Sequence, residues 1–216
     1  MSQTEKLKVL IVAGLPDILP NEAFDVHIGV DRGSLWLIEN HLSADIALGD
    51  FDSVTADEFS GIDKNAREII RLKPEKDVTD LEAALQLAVT HFPDAAFTII
   101  GALGGRLDHE LTNIYLPTTA AFQAFAEAIQ LVSQQNVVRY LSAGTHQLLP
   151  IADKKYIGFV QLATNRSLSI SQAKYPLAAD KNFADIYASN EFIDDKPMTV
   201  SIASGMLIVI YSSDEK

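Results

Sequence analysis

Two carboxylates, Asp50 and Asp52, are separated by a single residue. They come directly after the apolar run Ala44–Leu48 and the glycine that follows it, Gly49. In an extended backbone, residues i and i+2 point to the same side, so the pair is predicted to converge outside the carboxyl end of a strand. Two anions held this close repel each other unless one is protonated or a divalent cation neutralises both. The alternative is an acidic turn in which Asp52 caps the next helix. The pair alone does not distinguish a cation site from such a turn.

A second charged segment leads into an amphipathic pattern. Asp80 is predicted to lie in the first turn of a helix, where the helix dipole and free amides favour negative charge. Thr79 and Glu82 have the spacing of a capping box at the start of that helix. Lys76 and Asp77 add opposite charges just before it, which is more than a helix cap requires.

A third segment, Gly101–Gly105, is a glycine-rich turn between an apolar run and a predicted helix. Glycines let backbone amides approach phosphate oxygens, and a helix N-terminus attracts such oxygens. Arg106 can fork onto phosphate oxygens, and Asp108 can hold a cation or a ribose hydroxyl. The glycine spacing matches neither the dinucleotide-binding fingerprint nor the P-loop. A tight turn before a solvated helix start is the alternative.

The elements that must position these residues follow from apolar patterning in the first part of the chain. The predicted strands are Val9–Ala13, Val26–Val30, Ala44–Leu48, Glu68–Leu72, Phe97–Ile100 and Ile129–Val132. The predicted helices are Ser34–Asn40, Leu81–Phe92 and Leu107–Phe125. This alternation favours a parallel sheet with crossover helices. Parallel strands share a carboxyl edge, so the charged segments, with Asp31 and Arg32 after the second strand, are predicted to form one rim suited to magnesium and a polyphosphate.

From residue 135 the helical periodicity gives way to short β-rich runs. They are Tyr156–Leu162, Leu168–Ser171, Met198–Ile202 and Leu207–Tyr211. We therefore expect a Rossmann-like, three-layer α/β domain with a mostly parallel sheet over residues 1–134. A small all-β antiparallel sandwich is expected over residues 135–216.

The composition excludes several function classes. With 17 basic and 29 acidic residues the net charge is −12, which argues against nucleic-acid binding and implies that a metal ion mediates contact with any phosphate ligand. The absence of cysteine excludes disulfides, thiolate zinc sites and thiol nucleophiles. No apolar run approaches the roughly 20 residues of a membrane span. Met1–Lys6 lacks the features of a secretory signal, so we expect a cytoplasmic protein with no membrane partner.

Four motifs, in order, resemble those of the thiamine pyrophosphokinase (thiamine diphosphokinase) family. They are Asp31-Arg32-Gly33, Gly49-Asp50-Phe51-Asp52-Ser53, Lys76-Asp77-Val78-Thr79-Asp80, and Gly101-Ala102-Leu103-Gly104-Gly105-Arg106-Leu107-Asp108-His109 with Asn113. Later segments that resemble the family are Ala173-Lys174-Tyr175-Pro176-Leu177, Ser189-Asn190-Glu191 and Ser204-Gly205. The chain departs from the family at Arg32, where many relatives have glycine, and at Gln172-Ala173, where Gly-Leu is common.

The resemblance implies a homodimer whose α/β domain binds ATP and Mg²⁺ and whose β domain helps to hold thiamine at the dimer interface. In the implied reaction, the thiamine hydroxyl attacks the β-phosphorus of ATP, giving thiamine diphosphate and AMP. The implied catalytic carboxylates are Asp50, Asp52, Asp80 and Asp108, the first three as metal ligands. The implied ATP contacts are Arg32, Lys76, Asp77, Thr79, Arg106 and Asn113. The implied thiamine contacts are Asp31, Tyr175, Ser189 and Asn190.

Two functions of other classes fit parts of the pattern. Asp50-Phe51-Asp52-Ser53 also resembles the Asp-x-Asp motif of aspartyl-phosphate phosphatases, although those enzymes place it after the first strand. A non-catalytic nucleotide- or thiamine-binding protein on the same scaffold is the second alternative. Formation of AMP from ATP and thiamine distinguishes all three, because the phosphatase needs no ATP and the binding protein gives no turnover.

Overall fold

The chain forms two compact units that meet in sequence between Gln134 and Gln135. The computed structural model describes residues 6–14, 16–73, 75, 77–163 and 165–214. Within those residues no helix is long and apolar enough to cross a membrane. The functional roles assigned to the two domains stay predictions.

The first unit is a six-stranded sheet in the order β6-β5-β1-β2-β3-β4, in which every pair of neighbours is parallel. Its strands are β1 Lys8–Val12, β2 Val26–Val30, β3 Ala44–Gly49, β4 Ala66–Arg71, β5 Ala96–Ile100 and β6 Ile129–Val132. Its α-helices are α1 Arg32–Glu39, α2 Ala56–Asn65, α3 Asp80–His91 and α4 Leu107–Tyr115. The predicted α/β class with a mostly parallel sheet is confirmed.

The core lies around the central strand β1, where the four residues Val9–Val12 are all fully buried. Successive strand residues point to opposite faces, so both faces of the sheet are covered. The helix α1 lies so close to β1 that a Cβ on Gly33 would be 1.9 Å from the Val12 carbonyl oxygen, and only glycine fits there. The side chain of Trp36, the only tryptophan of the chain, packs beside the core cluster that contains Leu37.

Two helical predictions differ from the structure. The helix α2 was not predicted, although Thr55 and Glu58 form a complete capping box at its start. The predicted helix Leu107–Phe125 ends at Tyr115, and a short 3-10 turn follows over Leu116–Thr118. Pro117 accounts for the end of α4, because proline lacks the N–H that would continue the helical hydrogen bonds, whereas Leu116 before it keeps a helical backbone and begins the 3-10 turn.

The second unit is an antiparallel sheet in the order β10-β8-β11-β7, and β9 also pairs with β11. Its strands are β7 Asn136–Leu148, β8 Tyr156–Leu162, β9 Ser169–Ser171, β10 Ile186–Glu191 and β11 Met198–Ser212. The antiparallel all-β class predicted for this part of the chain is confirmed.

One strand of the second unit is much longer than the sequence indicated, whereas β8 has the predicted bounds and β9 is one residue shorter. The runs Met198–Ile202 and Leu207–Tyr211 form a single strand, β11, with an irregularity between Ile202 and Met206. Gly205 has φ +77° at this irregularity and leaves no room for a Cβ, which would lie 2.1 Å from the Leu162 carbonyl oxygen. Gly205, which lies between the two predicted runs, is therefore part of a bulge inside one long strand.

Candidate active site

Strand register brings the polar loops of the first unit to one edge of the sheet. Val30 at the end of β2 pairs with Leu48 near the end of β3, and Val12 at the end of β1 pairs with Ile100 at the end of β5. Asp31, Asp50 and Gly101 each directly follow one of these strands. The rim predicted from sequence is therefore present for the residues that immediately follow β2, β3 and β5.

Three carboxylates meet on this rim. One oxygen from each of Asp31, Asp50 and Asp80 lies within 4.8 Å of the others, and all three residues are partly buried. Asp31 follows β2, Asp50 follows β3 and Asp80 opens α3. The sequence placed all three on one rim, and the metal set that the resemblance implied was Asp50, Asp52 and Asp80. The geometry instead gathers Asp31 with Asp50 and Asp80.

The carboxylate of Asp31 is held in place by the backbone around it. Asp31 has φ +47°, and its side-chain Oδ1 accepts a hydrogen bond from the Phe51 N–H at 3.2 Å. Its own N–H donates to the Leu48 carbonyl at 2.9 Å. Gly49 makes room for it, because a Cβ there would lie 1.9 Å from Asp31 Oδ1. The position of Asp31 thus depends on residues of β3 and of the loop that follows it.

The electrostatics of the cluster are those of crowded anions. Burial, together with repulsion from Asp80 and, to a smaller extent, from Asp50 and Asp52, raises the pKa of Asp31 to about 6, although the hydrogen bond from Phe51 lowers it. A cation between the carboxylates would remove this penalty.

Asp52 does not belong to the three-carboxylate cluster, for a conformational reason. The prediction that Asp50 and Asp52 converge assumed an extended backbone, but Phe51 between them has φ +61°. The Asp52 N–H instead donates to Asp50 Oδ1 at 3.1 Å, closing a turn, and the side chain of Phe51 is buried. Asp52 is exposed, and its role as a metal ligand stays a prediction.

The donor set of the cluster suits a hard divalent cation. Mg²⁺ takes oxygen ligands and is usually held in proteins by one or two carboxylates together with substrate phosphates and water. Oxygens of Asp31, Asp50 and Asp80 within 4.8 Å of one another can supply such a set. The residues present therefore fit the metal that the resemblance implies.

Asp31→Asn is expected to stabilise the protein in a chelator such as EDTA. The pKa of Asp31 is about 6 in the folded chain and near 3.8 when unfolded, so the charge lowers stability as pH rises through this interval. Because the group is partly exposed, we expect a gain of only about 1 kcal/mol near pH 8, or about 2–4 °C in Tm. Asparagine tolerates positive φ and keeps an acceptor for Phe51. Thermal melts of both proteins should converge below about pH 4; an equal difference at every pH would contradict this origin.

The glycine-rich turn after β5 has the open backbone that phosphate binding requires. Gly104 and Gly105 have φ +89° and +79°, and a Cβ on either would meet no atom within 4 Å. Arg106 follows and forms a bidentate pair with Asp108, with Nε to Oδ1 at 3.2 Å and Nη2 to Oδ2 at 2.7 Å. Both side chains are well exposed. The guanidinium group of Arg106, predicted to bind two phosphate oxygens, thus binds the two carboxylate oxygens of Asp108 in the first turn of α4.

Two predicted nucleotide contacts make structural hydrogen bonds. Asn113 Nδ2 donates to the Ala102 carbonyl at 2.8 Å, which ties α4 to the glycine-rich turn. Thr79 Oγ1 accepts from the Glu82 N–H at 3.1 Å and caps α3. Asp77 is exposed in the preceding loop, and Lys76 lies outside the described residues.

Arg32 reaches across to the loop after β3. Its Nη1 donates to the Ser53 carbonyl at 3.2 Å, and its Nη2 lies 3.7 Å from Glu58 Oε1. Glu58 also accepts from the Thr55 N–H at 2.7 Å in the capping box of α2. Arg32 therefore fastens the acidic loop to α2, and a contact with phosphate stays a prediction.

The candidate thiamine residues of the second unit differ in exposure. Tyr175 is 56% exposed, whereas Asn190 is 4% exposed. Asn190 binds the backbone of Tyr175 on both sides, accepting from its N–H at 3.0 Å and donating to its carbonyl at 2.8 Å. Ser189 is exposed with φ +58°, at the irregularity of β10. The structure thus gives Asn190 a supporting position and leaves Tyr175 and Ser189 accessible.

Sequence reasoning missed the residues that shape the cluster. Gly49 and Phe51 lie inside the recognised acidic motif, but they were considered only as the spacing between the carboxylates. A glycine at the end of an apolar run, followed by an aromatic residue between two acids, was the available signal.

Comparison with known proteins follows the same division of the chain. Residues 20–129 match the family model described as thiamin pyrophosphokinase, catalytic domain, and residues 145–207 match the one described as thiamin pyrophosphokinase, vitamin B1 binding domain. The chain is 34% identical over 213 residues to thiamine pyrophosphokinase of Bacillus subtilis, covering 94% of this chain and 98% of that protein.

Solved structures give the same result. A thiamin pyrophosphokinase family protein from Enterococcus faecalis superposes with a TM-score of 0.90 at 36% identity, over 97% of this chain and 100% of that one. Thiamin pyrophosphokinase from Candida albicans shares the fold, with a TM-score of 0.76 at 15% identity, over 96% of this chain and 90% of that one. Fold and comparisons define an enzyme of the kinase class, with a parallel α/β catalytic unit followed by an all-β unit. The chain belongs to the thiamin pyrophosphokinase family.

Proposed function

We propose that this protein is a thiamine diphosphokinase, which transfers the diphosphate of ATP to the hydroxyl of thiamine and releases AMP. The observation that carries the proposal is the cluster of Asp31, Asp50 and Asp80 at the carboxyl edge of the parallel sheet, within the segment that matches the family's catalytic domain. An acidic protein needs such a cluster to bind a polyphosphate through a cation. The family relationship supports the kinase over the phosphatase and the non-catalytic alternative.

The geometry divides the chemical tasks among the described residues. Asp31, Asp50 and Asp80 are proposed to hold Mg²⁺, which when bound supplies positive charge to phosphate oxygens. The amides of Gly104 and Gly105 are open to an anion, and Arg106 can exchange Asp108 for phosphate oxygens. Phosphoryl-type transfer has a loose transition state with charge on the phosphate oxygens, so positioning and electrostatics are the main contributions asked of the protein.

The remaining predicted residues fit this scheme as supports or as accessible contacts. Asn113 holds the glycine-rich turn, and Thr79 caps the helix that carries Asp80. We keep Asp52 in the proposal as an additional metal ligand that lies outside the three-carboxylate cluster. In the β unit, the exposed ring of Tyr175 suits the cationic thiazolium of thiamine. We also retain the homodimer as part of the proposal; sedimentation of the purified protein tests it, and a fully active monomer contradicts it.

The direct test is an assay of the purified protein with thiamine, ATP and MgCl₂. We expect thiamine diphosphate and AMP in equal amounts, and loss of both products when MgCl₂ is replaced by EDTA. ADP in place of AMP would indicate transfer of one phosphate, and phosphate release without ATP would indicate a phosphatase. Binding of thiamine with no product would support the non-catalytic alternative.

Arg106→Lys is expected not to preserve nucleotide binding. Lysine keeps the charge but lacks the planar fork that bonds two oxygens at once. We expect the KM for ATP to rise at least about tenfold, as measured by steady-state kinetics. Arg67→Lys is the matched control, because Arg67 is also exposed and paired with a carboxylate, Asp45, but lies at the amino end of β4. Wild-type KM for ATP in Arg106→Lys would place Arg106 outside the nucleotide site.

Tyr175→Ala is expected to raise the KM for thiamine and leave the KM for ATP nearly unchanged. A lost ring face weakens a cationic ligand by about 0.5–2 kcal/mol, which corresponds to roughly 2- to 30-fold in KM. Tyr175→Phe keeps the ring and should stay close to wild type. Steady-state kinetics with each substrate varied in turn measures the effect. A defect confined to ATP would contradict the assignment of Tyr175 to thiamine.

A further inference from the structure

A lysine lies next to the ring that is proposed to receive a cation. Lys174 Nζ lies 5.6 Å from the centroid of the Tyr175 ring. The ring face attracts a cationic ligand by the same electrostatic interaction that attracts the ammonium group. A free positive charge at this distance would repel an approaching thiazolium. A site for thiamine at Tyr175 therefore requires that the charge of Lys174 be compensated.

Glu191 supplies that compensation. Lys174 Nζ donates to Glu191 Oε1 at 2.6 Å, and the Glu191 side chain is only 21% exposed. The backbones are also joined, because the Lys174 N–H donates to the Glu191 carbonyl at 3.0 Å. The hydrogen bond to Glu191 raises the pKa of Lys174, so the pair remains ionic.

Asn190 fixes the relative positions of the ring and the ion pair. Its Oδ1 accepts from the N–H groups of Tyr175 and Glu191, at 3.0 and 2.9 Å. Its Nδ2 donates to the Tyr175 carbonyl at 2.8 Å, and the residue is 4% exposed. The ring of Tyr175, the ammonium of Lys174 and the carboxylate of Glu191 are thus attached to one hydrogen-bonded frame.

The nearby Lys155 has partners of its own. Lys155 Nζ donates to Tyr156 Oη at 3.1 Å, and Tyr156 Oη donates to Asp214 Oδ2 at 3.0 Å. Its attraction to Glu191 is one contribution among several to its raised pKa. Loss of the Glu191 charge would therefore leave mainly the ammonium group of Lys174 without a compensating charge.

We infer that Glu191 determines specificity for a cationic substrate, because its carboxylate neutralises Lys174 beside the Tyr175 ring. Glu191 does not touch the substrate in this role and acts through Lys174 as a positioning residue. The inference rests on the proposed function, since it takes the positively charged thiazolium of thiamine as the ligand of this ring.

The test is a double-mutant cycle read as the KM for thiamine. Glu191→Gln keeps the size of the side chain and leaves the ammonium uncompensated, so we expect the KM for thiamine to rise roughly three- to tenfold at low ionic strength. The increase should shrink at about 1 M salt, because a repulsion between partly exposed charges is screened. Lys174→Met should lower the KM for thiamine, because the Glu191 carboxylate then lacks its partner and attracts a cation. The double variant Lys174→Met/Glu191→Gln should recover most of the loss, because no unpaired charge remains.

A merely structural role for Glu191 predicts a different pattern. The double variant would then be at least as impaired as Glu191→Gln, and its defect would not depend on salt; either result overturns the inference. An unchanged KM in Glu191→Gln overturns it as well. These outcomes are distinct from failure of the proposed function, in which the wild-type protein itself forms no thiamine diphosphate. Circular dichroism melts of all three variants check that each is folded, and a thiamine titration by calorimetry provides a readout independent of turnover.

Discussion

Asp50→Asn is expected to lower kcat by about 100- to 1000-fold while the fold is retained. Asp50 contributes an oxygen to the cluster with Asp31 and Asp80, and an amide cannot replace the charge that binds a divalent cation to a polyphosphate. Removing one preorganised electrostatic group aimed at developing charge typically costs about 100- to 1000-fold in kcat. Single-turnover and steady-state assays at saturating ATP, thiamine and Mg²⁺ measure the effect.

Two further variants make this result specific. Asp57→Asn is the matched control, because Asp57 is an exposed carboxylate in the first turn of α2 and should leave turnover unchanged. Asp52→Asn compares the metal set implied by the resemblance, which includes Asp52, with the three-carboxylate cluster of the structure, which does not. A loss as large as that of Asp50→Asn would return Asp52 to the metal ligands, and a much smaller loss would assign the third ligand to Asp31. Near-normal turnover in Asp50→Asn would refute the metal site.

Gly49→Ala is expected to impair turnover strongly, although it adds only one methyl group. The new Cβ would lie 1.9 Å from Asp31 Oδ1, the atom that accepts the hydrogen bond from Phe51. The carboxylate must move out of the cluster, and a displacement of about 1 Å at a reacting centre can cost about 100-fold in kcat/KM. Overpacking should also lower the free energy of unfolding by about 1–3 kcal/mol.

Gly61→Ala is the control for Gly49→Ala. Gly61 lies inside α2, where an added Cβ meets no atom within 4 Å. Alanine is favoured over glycine in a helix interior, so this variant should be about 0.5–1 kcal/mol more stable, with unchanged kinetics. Chemical denaturation and steady-state kinetics on both variants test the pair. Wild-type kcat/KM in Gly49→Ala would show that the position of Asp31 is not required for turnover.

The sequence predicted those features that depend on strand periodicity and order along the chain. The strands β2 and β6 have the predicted bounds, and the carboxyl-edge rim follows from parallel order alone. The pairing of Asp50 with Asp80 followed from this argument, since both follow strands on the same side of β1 in the sheet order.

The features that the sequence did not predict depend on backbone conformation and on contacts between distant residues. The left-handed conformation of Phe51 breaks the i, i+2 argument and excludes Asp52 from the cluster. Asp31 enters the cluster because Gly49, eighteen positions later, leaves space for its carboxylate. The bidentate Arg106–Asp108 pair was also missed, because each side chain was considered only as a partner for a ligand. Periodicity contains no information on such pairings.

The uneven distribution of aromatic residues makes the two units optically distinct. Trp36, the only tryptophan, lies on α1 in the first unit, one turn beyond Asp31, while five of the six tyrosines lie in residues 135–216. Tryptophan emission excited at about 295 nm therefore reports on the first unit alone, and far-ultraviolet dichroism reports on the whole chain. Coincident denaturation curves would mean that the two units unfold as one cooperative system, and separate curves would give each its own stability. This single chromophore thus provides an unlabelled measurement of whether Mg²⁺ and ATP stabilise the unit that holds the carboxylates or the entire protein.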